Sequence, residues 1–182
     1  MNKWDVKKQR KIARSLVYSL TGKQLKRSKT GRPFVEKSID VSVSHKDDFV
    51  SAAAVPAPYR IGIDVENLKG RLKARCFLGT AITKAELPFF KNFCESNNFS
   101  YSLGIAVFWS IKESFFKCLD YDLKPGKISV LGISKKGAVQ FLFSDEIKTL
   151  LIERGLKIHS ANIIFLGKEY VFSQTIAKTI KI

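Results

Sequence analysis

Five apolar residues between positions 105 and 119 recur at intervals of three and four, the spacing that places side chains on one face of an α-helix. They are Ile105, Phe108, Ile111, Phe115 and Leu119. We therefore expect a long helix over about residues 100–119. Strand-like runs precede it at about 39–44, 49–55 and 59–66, the last two separated by Pro56 and Pro58.

The other segments continue this mixed pattern. A basic helix is expected over 4–20, followed by a basic loop over 21–33, and a second helix opens at Thr83, which stands at capping-box spacing from Glu86. Strands are predicted at 127–133, 137–143, 159–165 and 169–174, with a short helix at 144–154. This order of helices and strands predicts an α+β fold.

Three carboxylates stand where they could share one divalent cation. Residues i and i+2 of a strand point to the same face, so Asp64 and Glu66 project together. On the long helix, Glu113 lies one turn from Trp109 and one turn from Lys117. Magnesium prefers hard oxygen ligands and is usually held by one or two carboxylates with substrate phosphates. The sequence alone also allows a strand end before a turn, and a surface Glu–Lys pair worth about 0.2–0.5 kcal/mol.

The charge balance points to an acidic partner. The chain has 182 residues and a formal net charge of +16, and such a field attracts polyanions. Nucleic acid is one alternative, because the basic residues of 7–14 would make a phosphate-contacting helix face. We find no zinc-finger, basic-zipper or aromatic RNA-binding signature in support of it.

Cysteine usage and hydropathy bear on the compartment. Cys76, Cys94 and Cys118 are odd in number and lack metal-site spacing, which indicates reduced, structural thiols in the cytoplasm. The N-terminus lacks a signal-peptide core, and no apolar run reaches the length that spans a bilayer. Export and membrane insertion are both disfavoured.

Five short motifs occur in an order that resembles the 4'-phosphopantetheinyl transferases, and within them the monomeric type that activates surfactin-like synthetases. The matching segments are Gly31-Arg32-Pro33, Ser42-Val43-Ser44-His45, Gly62-Ile63-Asp64-Val65-Glu66, Phe77 followed by Glu86, and Trp109-Ser110-Ile111-Lys112-Glu113 with Lys117. They span about residues 31–117.

The resemblance implies two pseudo-symmetric halves, each a helix packed on a small antiparallel sheet, with coenzyme A in the crevice between them. The N-terminal half would be residues 1–60, shorter than in larger members, and the C-terminal half would be residues 61–182 with the metal site. Because both halves lie in one chain, a monomer is expected.

The resemblance also implies roles for particular residues. Asp64, Glu66 and Glu113 would hold Mg²⁺, and Glu113 would also accept a proton, so the catalytic set is Asp64, Glu113 and Lys117. The expected contacts to coenzyme A are Lys112 and Lys117 at the pyrophosphate, Ser44 and His45 at the 3'-phosphate, Arg32 near the adenine or 3'-phosphate, and Arg14 as an additional phosphate ligand. Glu86 would be either the family's downstream Glu or half of a helix cap.

The implied activity is magnesium-dependent transfer of 4'-phosphopantetheine from coenzyme A to a serine of an apo acyl or peptidyl carrier protein. Adenosine 3',5'-bisphosphate would leave. The alternatives are a non-catalytic relative that binds coenzyme A or a carrier protein, and a basic nucleic-acid-binding module.

Overall fold

The computed structural model describes residues 5–28, 31–36, 38–69, 81–122 and 124–180. The helices are α1 (Val6–Thr21), α2 (Leu87–Ser96), α3 (Tyr101–Leu119) and α4 (Asp145–Glu153), with a 3-10 turn at Pro125–Lys127. The strands are β1 (Lys26–Arg27), β2 (Pro33–Phe34), β3 (Ile39–Lys46), β4 (Phe49–Pro56), β5 (Tyr59–Asn67), β6 (Ile128–Ile133), β7 (Val139–Phe143), β8 (Leu156–Leu166) and β9 (Tyr170–Thr179).

The N-terminal part consists of α1 packed on the antiparallel hairpin β3–β4. The side chain of Asp5 caps the start of α1 by accepting a hydrogen bond from the backbone N–H of Lys8, and Gly22 ends the helix with φ at 66°. Val17, Val35 and Val41 form the buried centre of this layer. The basic residues of α1 are therefore left on its outer side.

The larger part is built around α3 and the three-stranded antiparallel sheet β5-β9-β8. A Cβ atom on Gly62 would lie only 1.9 Å from the carbonyl oxygen of Ser114, so glycine allows β5 and α3 to approach closely. Between α3 and β9, Ser114 Oγ lies 3.0 Å from Thr175 Oγ1. These contacts fix the position of α3 on the sheet.

Apolar cores lie along both halves of α3. Its N-terminal half packs with α2, and the ring of Phe108 meets that of Phe90 edge to face at 5.2 Å. Its C-terminal half packs with α4 and the β6–β7 hairpin through Phe115. Thus α3 is buried on nearly every side.

Side chains rather than a backbone ladder join β3 to β5. The carboxylate of Asp40 accepts a hydrogen bond from Ile61 N at 2.8 Å, and Ser42 Oγ accepts one from Ile63 N at 3.0 Å. Ser44 Oγ, the next side chain on the same face, accepts from Val65 N at 3.2 Å. Alternate side chains of β3 therefore satisfy the free edge of β5, as strand periodicity allows.

The structure confirms the predicted α+β class, with helices packed on small antiparallel sheets. The predicted start of a helix at Thr83 is wrong: Thr83 and Glu86 do exchange hydrogen bonds, but they close a turn, and α2 begins at Leu87. Strand β9 extends past the expected end at 174 to Thr179. The predicted loop over 21–33 contains the short strand β1 and the start of β2.

Two sequence expectations lie outside the described residues, namely the structural role of Cys76 and the motif position Phe77. Cys94 and Cys118 are free thiols and are buried. Among the described residues, no helix is both long enough and apolar enough to cross a membrane.

Candidate active site

Asp64 lies on the face of β5 that meets α3, and it is 2% exposed. Its Oδ1 accepts hydrogen bonds from Lys117 Nζ at 2.6 Å and from Ser44 Oγ at 2.9 Å. Its other oxygen, Oδ2, is buried and has no hydrogen-bond partner. A buried acceptor without a donor is costly, and a cation can satisfy it.

Glu113 reaches the same point from α3. Its Oε1 accepts a hydrogen bond from Trp109 Nε1 at 2.9 Å, and its Oε2 lies 3.0 Å from Lys117 Nζ. The ammonium of Lys117 therefore bridges a strand carboxylate and a helix carboxylate. The i, i+4 spacing on α3 brings Trp109, Glu113 and Lys117 to one side of the helix.

Burial and neighbouring charges shift the pKa values of Asp64 and Glu113 in opposite directions. Burial, assisted by the charge of Glu113 and opposed by Lys117, raises the pKa of Asp64 to about 7. For Glu113, burial acts upward, but the ammonium of Lys117 and hydrogen bonds lower the pKa below its usual value. Near neutral pH, Glu113 is thus the ionised member, whereas Asp64 is only partly ionised, and a bound divalent cation would favour its ionised form.

Glu66 is buried close by and is held by a second lysine. Its Oε2 lies 2.6 Å from Lys46 Nζ, which extends from the end of β3. Burial raises the pKa of Glu66, and Lys46 opposes that shift.

These residues fit a magnesium ion by donor type, since all three side chains offer hard carboxylate oxygens. In the described ranges, no three Asp, Glu, His or Cys side chains already stand in a metal-binding arrangement. The ammonium groups of Lys117 and Lys46 are instead paired with oxygens of these carboxylates. A metal ion would therefore have to displace these ammonium groups.

Two adjoining cavities open beside the carboxylates. One, of about 510 Å³, is lined by Arg27, Arg32, Asp120 and Asp122 together with Glu113 and Lys117. The other, of about 330 Å³, is lined by Arg27, His45, Lys46 and the three carboxylates Asp64, Glu66 and Glu113. Carboxylates at the junction and cations along the walls suit a phosphorylated ligand whose charge is shared with a metal ion.

A family model described as the 4'-phosphopantetheinyl transferase superfamily matches residues 60–166 of the chain. The chain belongs to this superfamily. The matched range contains Asp64, Glu66, Glu113 and Lys117, whereas β3, with Ser44, His45 and Lys46, precedes it. A search of curated proteins finds no significant match.

Solved structures of the transferase superfamily share the fold. The holo-ACP-synthase of Plasmodium yoelii is 19% identical, with a TM-score of 0.52 over 67% of this chain and 95% of that one. A Chronobacterium ammoniagenes ACPS in complex with CoA is 17% identical, with a TM-score of 0.51 over 68% of this chain and 98% of that one. At these identities the likeness establishes the fold alone.

Within this transferase fold, the structure does not bring Lys112 to the site, contrary to the expected contact with the pyrophosphate. Its ammonium is fully buried on another side of α3. It donates hydrogen bonds to Ala81 O at 2.5 Å, to Glu86 Oε2 at 2.7 Å and to Pro125 O at 3.1 Å. Glu86 therefore closes a turn with Thr83 and is the buried partner of Lys112.

The other residues expected to contact coenzyme A lie in three different places. Arg32 lines the larger cavity, but its guanidinium is bound to both oxygens of Asp40, at 2.8 and 3.1 Å. His45 lines the smaller cavity, where burial first, and then the charges of Lys117, Arg27 and Arg10, lower its pKa. Arg14 is exposed on α1, beside a separate surface groove with Tyr18 and Gln24, and the structure does not bring it to the carboxylates.

Ser44 is only 5% exposed and already has three partners, Asp64, Val65 N and Lys117, the last at 3.4 Å. One hydroxyl donor and two lone pairs are then all engaged. The expected contact of Ser44 with a 3'-phosphate would require one of these bonds to break.

Sequence reasoning missed two cations at this candidate site, Lys46 and Arg27. Lys46 could have been found, because it is two residues beyond Ser44 and therefore on the same face of β3. Arg27 lines both cavities and donates to Gly31 O at 2.7 Å. It stood in a segment expected to be loop, which gave no reason to place it there.

Proposed function

We propose that this protein transfers the 4'-phosphopantetheine group from coenzyme A to a serine of an apo acyl or peptidyl carrier protein, with Mg²⁺, and releases adenosine 3',5'-bisphosphate. One observation carries the proposal: Asp64 and Glu113 converge from β5 and α3 on Lys117, at the junction of two cation-lined cavities. Family membership supports it. So does the related ACPS that is described as a complex with CoA.

Asp64, Glu66 and Glu113 would hold the magnesium ion. Bound there with the pyrophosphate, the ion would supply charge neutralisation during transfer. Lys117, once displaced from between the carboxylates, would donate to a pyrophosphate oxygen. Arg32 and His45 would face the phosphates and adenosine in the two cavities. Arg27 would add a further cation from the wall that both cavities share.

The chemical step needs no nucleophile from this protein. The hydroxyl oxygen of the carrier serine attacks the β-phosphorus, and the bond from that phosphorus to the bridging oxygen breaks. Adenosine 3',5'-bisphosphate leaves with that oxygen. Glu113 is the residue suited to accept the serine proton, because Trp109 Nε1 donates a hydrogen bond that orients its carboxylate.

We extend the proposal to the monomeric, surfactin-synthetase-activating type. The support is that α1 on β3–β4 and α3 on β5-β9-β8 are both present in one chain. They would correspond to the proposed halves 1–60 and 61–182. An acidic carrier protein suits the net charge of +16. The free, buried thiols Cys94 and Cys118 agree with a cytoplasmic reaction. Light scattering of the purified protein would test the monomer.

Intact-mass spectrometry tests the transfer. An apo carrier protein is incubated with coenzyme A, magnesium and this protein, beside a chelator-treated reaction and the variant Asp64→Ala. We expect a gain of one phosphopantetheine unit that requires both the metal and Asp64. The control Asp145→Ala removes a carboxylate that is 96% exposed and should transfer normally.

Two outcomes would overturn the proposal. Coenzyme A binding without transfer to any carrier class would favour a non-catalytic relative. Salt-sensitive nucleic-acid binding that survives Asp64→Ala, without transfer, would favour a nucleic-acid-binding module.

A further inference from the structure

Ser44 differs from its neighbour Ser42 in a way that bears on the site. Both serines lie on the same face of β3, both are nearly buried, and each accepts a hydrogen bond from a backbone N–H of β5. Only Ser44 also donates to Asp64 Oδ1, at 2.9 Å. Among the described residues, Ser42 Oγ makes no hydrogen bond to a carboxylate.

The geometry points to Ser44 as a positioning residue that aims the Asp64 carboxylate at the metal. Its hydroxyl fixes Oδ1, which leaves Oδ2 as the oxygen without a partner. Ser44 Oγ in turn accepts a hydrogen bond from Val65 N, one residue beyond Asp64. The strand that carries Asp64 therefore also holds the serine in place. This inference rests on the proposed metal site at Asp64.

The arrangement matters most when a metal ion is bound. Lys117 shares Oδ1 with Ser44 in this structure, at 2.6 Å from that oxygen. A metal ion would displace the lysine, and the serine would then be the neutral donor left on Oδ1. Partners that orient a metal-binding carboxylate typically change metal affinity or activity by about 10- to 100-fold when they are removed.

The experiment compares Ser44→Ala with Ser42→Ala, since each variant loses one acceptor for a β5 N–H. Binding of Mn²⁺ is followed by electron paramagnetic resonance, and the magnesium concentration for half-maximal transfer is measured in parallel. We expect Ser44→Ala to weaken Mn²⁺ binding and raise the magnesium requirement by about 10-fold or more. At saturating magnesium, kcat should fall much less. Ser42→Ala should bind Mn²⁺ like the parent, and Ser44→Thr, which keeps the hydroxyl, should recover most of the affinity.

Equal Mn²⁺ affinities for Ser44→Ala and Ser42→Ala would overturn the inference and leave Ser44 as a strand-joining residue only. Unfolding measurements on the two alanine variants separate a general loss of stability from a loss at the metal. The variant Asp64→Ala distinguishes failure of the underlying site. If it binds Mn²⁺ as well as the parent does, the metal is not held at Asp64, and the proposed function fails rather than the role of Ser44 alone.

Discussion

Replacing Lys112 by methionine should destabilise the protein strongly without weakening its affinity for coenzyme A. Lys112 and Glu86 form an ion pair at 2.7 Å in which both side chains are fully buried. Removing one partner of such a pair leaves an uncompensated buried charge and typically costs about 3–5 kcal/mol. The carbonyl oxygens of Ala81 and Pro125 would also lose their donor. We therefore expect a loss within this range.

A double-mutant cycle measures the pair itself. Glu86→Gln keeps an oxygen for the N–H of Thr83 but removes the negative charge. With Lys112→Met in the same chain no charge is buried, so the double variant should lose less stability than the sum of the two single losses, by about 0.5–3 kcal/mol. Urea unfolding followed by circular dichroism gives the free energies, and calorimetric titration gives the coenzyme A affinity.

The opposite pattern would refute this reasoning. If Lys112→Met unfolds at the parent's urea concentration but binds coenzyme A at least tenfold more weakly, Lys112 contacts the ligand and the buried pair is not its role. Lys91→Met is the matched control, because Lys91 is an exposed helical lysine. Its stability should change by less than about 0.5 kcal/mol.

Three further predictions concern the carboxylates and their support. Gly62→Ala should cost about 3 kcal/mol or more in urea unfolding, because its Cβ would overlap the backbone of Ser114 on α3. Asp64→Asn should make the metal-free protein more stable at pH 8, by up to about 4 kcal/mol for a pKa raised from near 4 to about 7. Because the folded parent holds that proton more tightly, its stability falls as pH rises from about 4 to about 7, and the variant lacks this slope. Lys46→Met should tighten Mn²⁺ binding several-fold, because it removes an ammonium 2.6 Å from Glu66 Oε2.

Control variants and contrary results test the expectations for Gly62→Ala, Asp64→Asn and Lys46→Met. Gly126→Ala adds a Cβ in open space, and equal costs at both glycines would mean that β5 and α3 are not in close contact. An Asp64→Asn protein no more stable than the parent at pH 8 would show that burial of this carboxylate is not costly. Lys69→Met, at an exposed pair, should leave Mn²⁺ binding unchanged. If Lys46→Met weakened that binding, Lys46 would support the metal rather than compete with it.

The sequence predicted those parts of the site that depend on local periodicity. The period of two placed Asp64 on one face of β5, and the period of 3.6 placed Glu113 beside Lys117. Both regularities survive folding because they are properties of a single strand and a single helix. Predicting these positions did not require knowledge of what each element packs against.

Residues whose roles depend on contacts far along the chain were harder to predict. Lys112 and Glu86 are 26 residues apart, and no local pattern joins them. Because α3 is buried on nearly every side, it has no solvent-exposed face on which a lysine would be expected. The environment of Lys112 therefore cannot be inferred from one apolar stripe. The far end of β9, with the buried residues Thr175 and Ala177, was also missed.

The joint between β3 and β5 gives the N-terminal segment a direct part in the site. The family match begins at residue 60, yet the partner that orients Asp64 and the cation that holds Glu66 both come from β3. Strand β3 can supply both residues because its side chains, rather than its backbone, contact the edge of β5. Alternate side chains of β3 therefore lie close to the carboxylates of β5. A continuous backbone ladder at that edge would have turned the same side chains above and below the sheet. The unpaired edge of β5 is therefore what allows a short N-terminal segment to complete a site whose carboxylates all lie in the matched region.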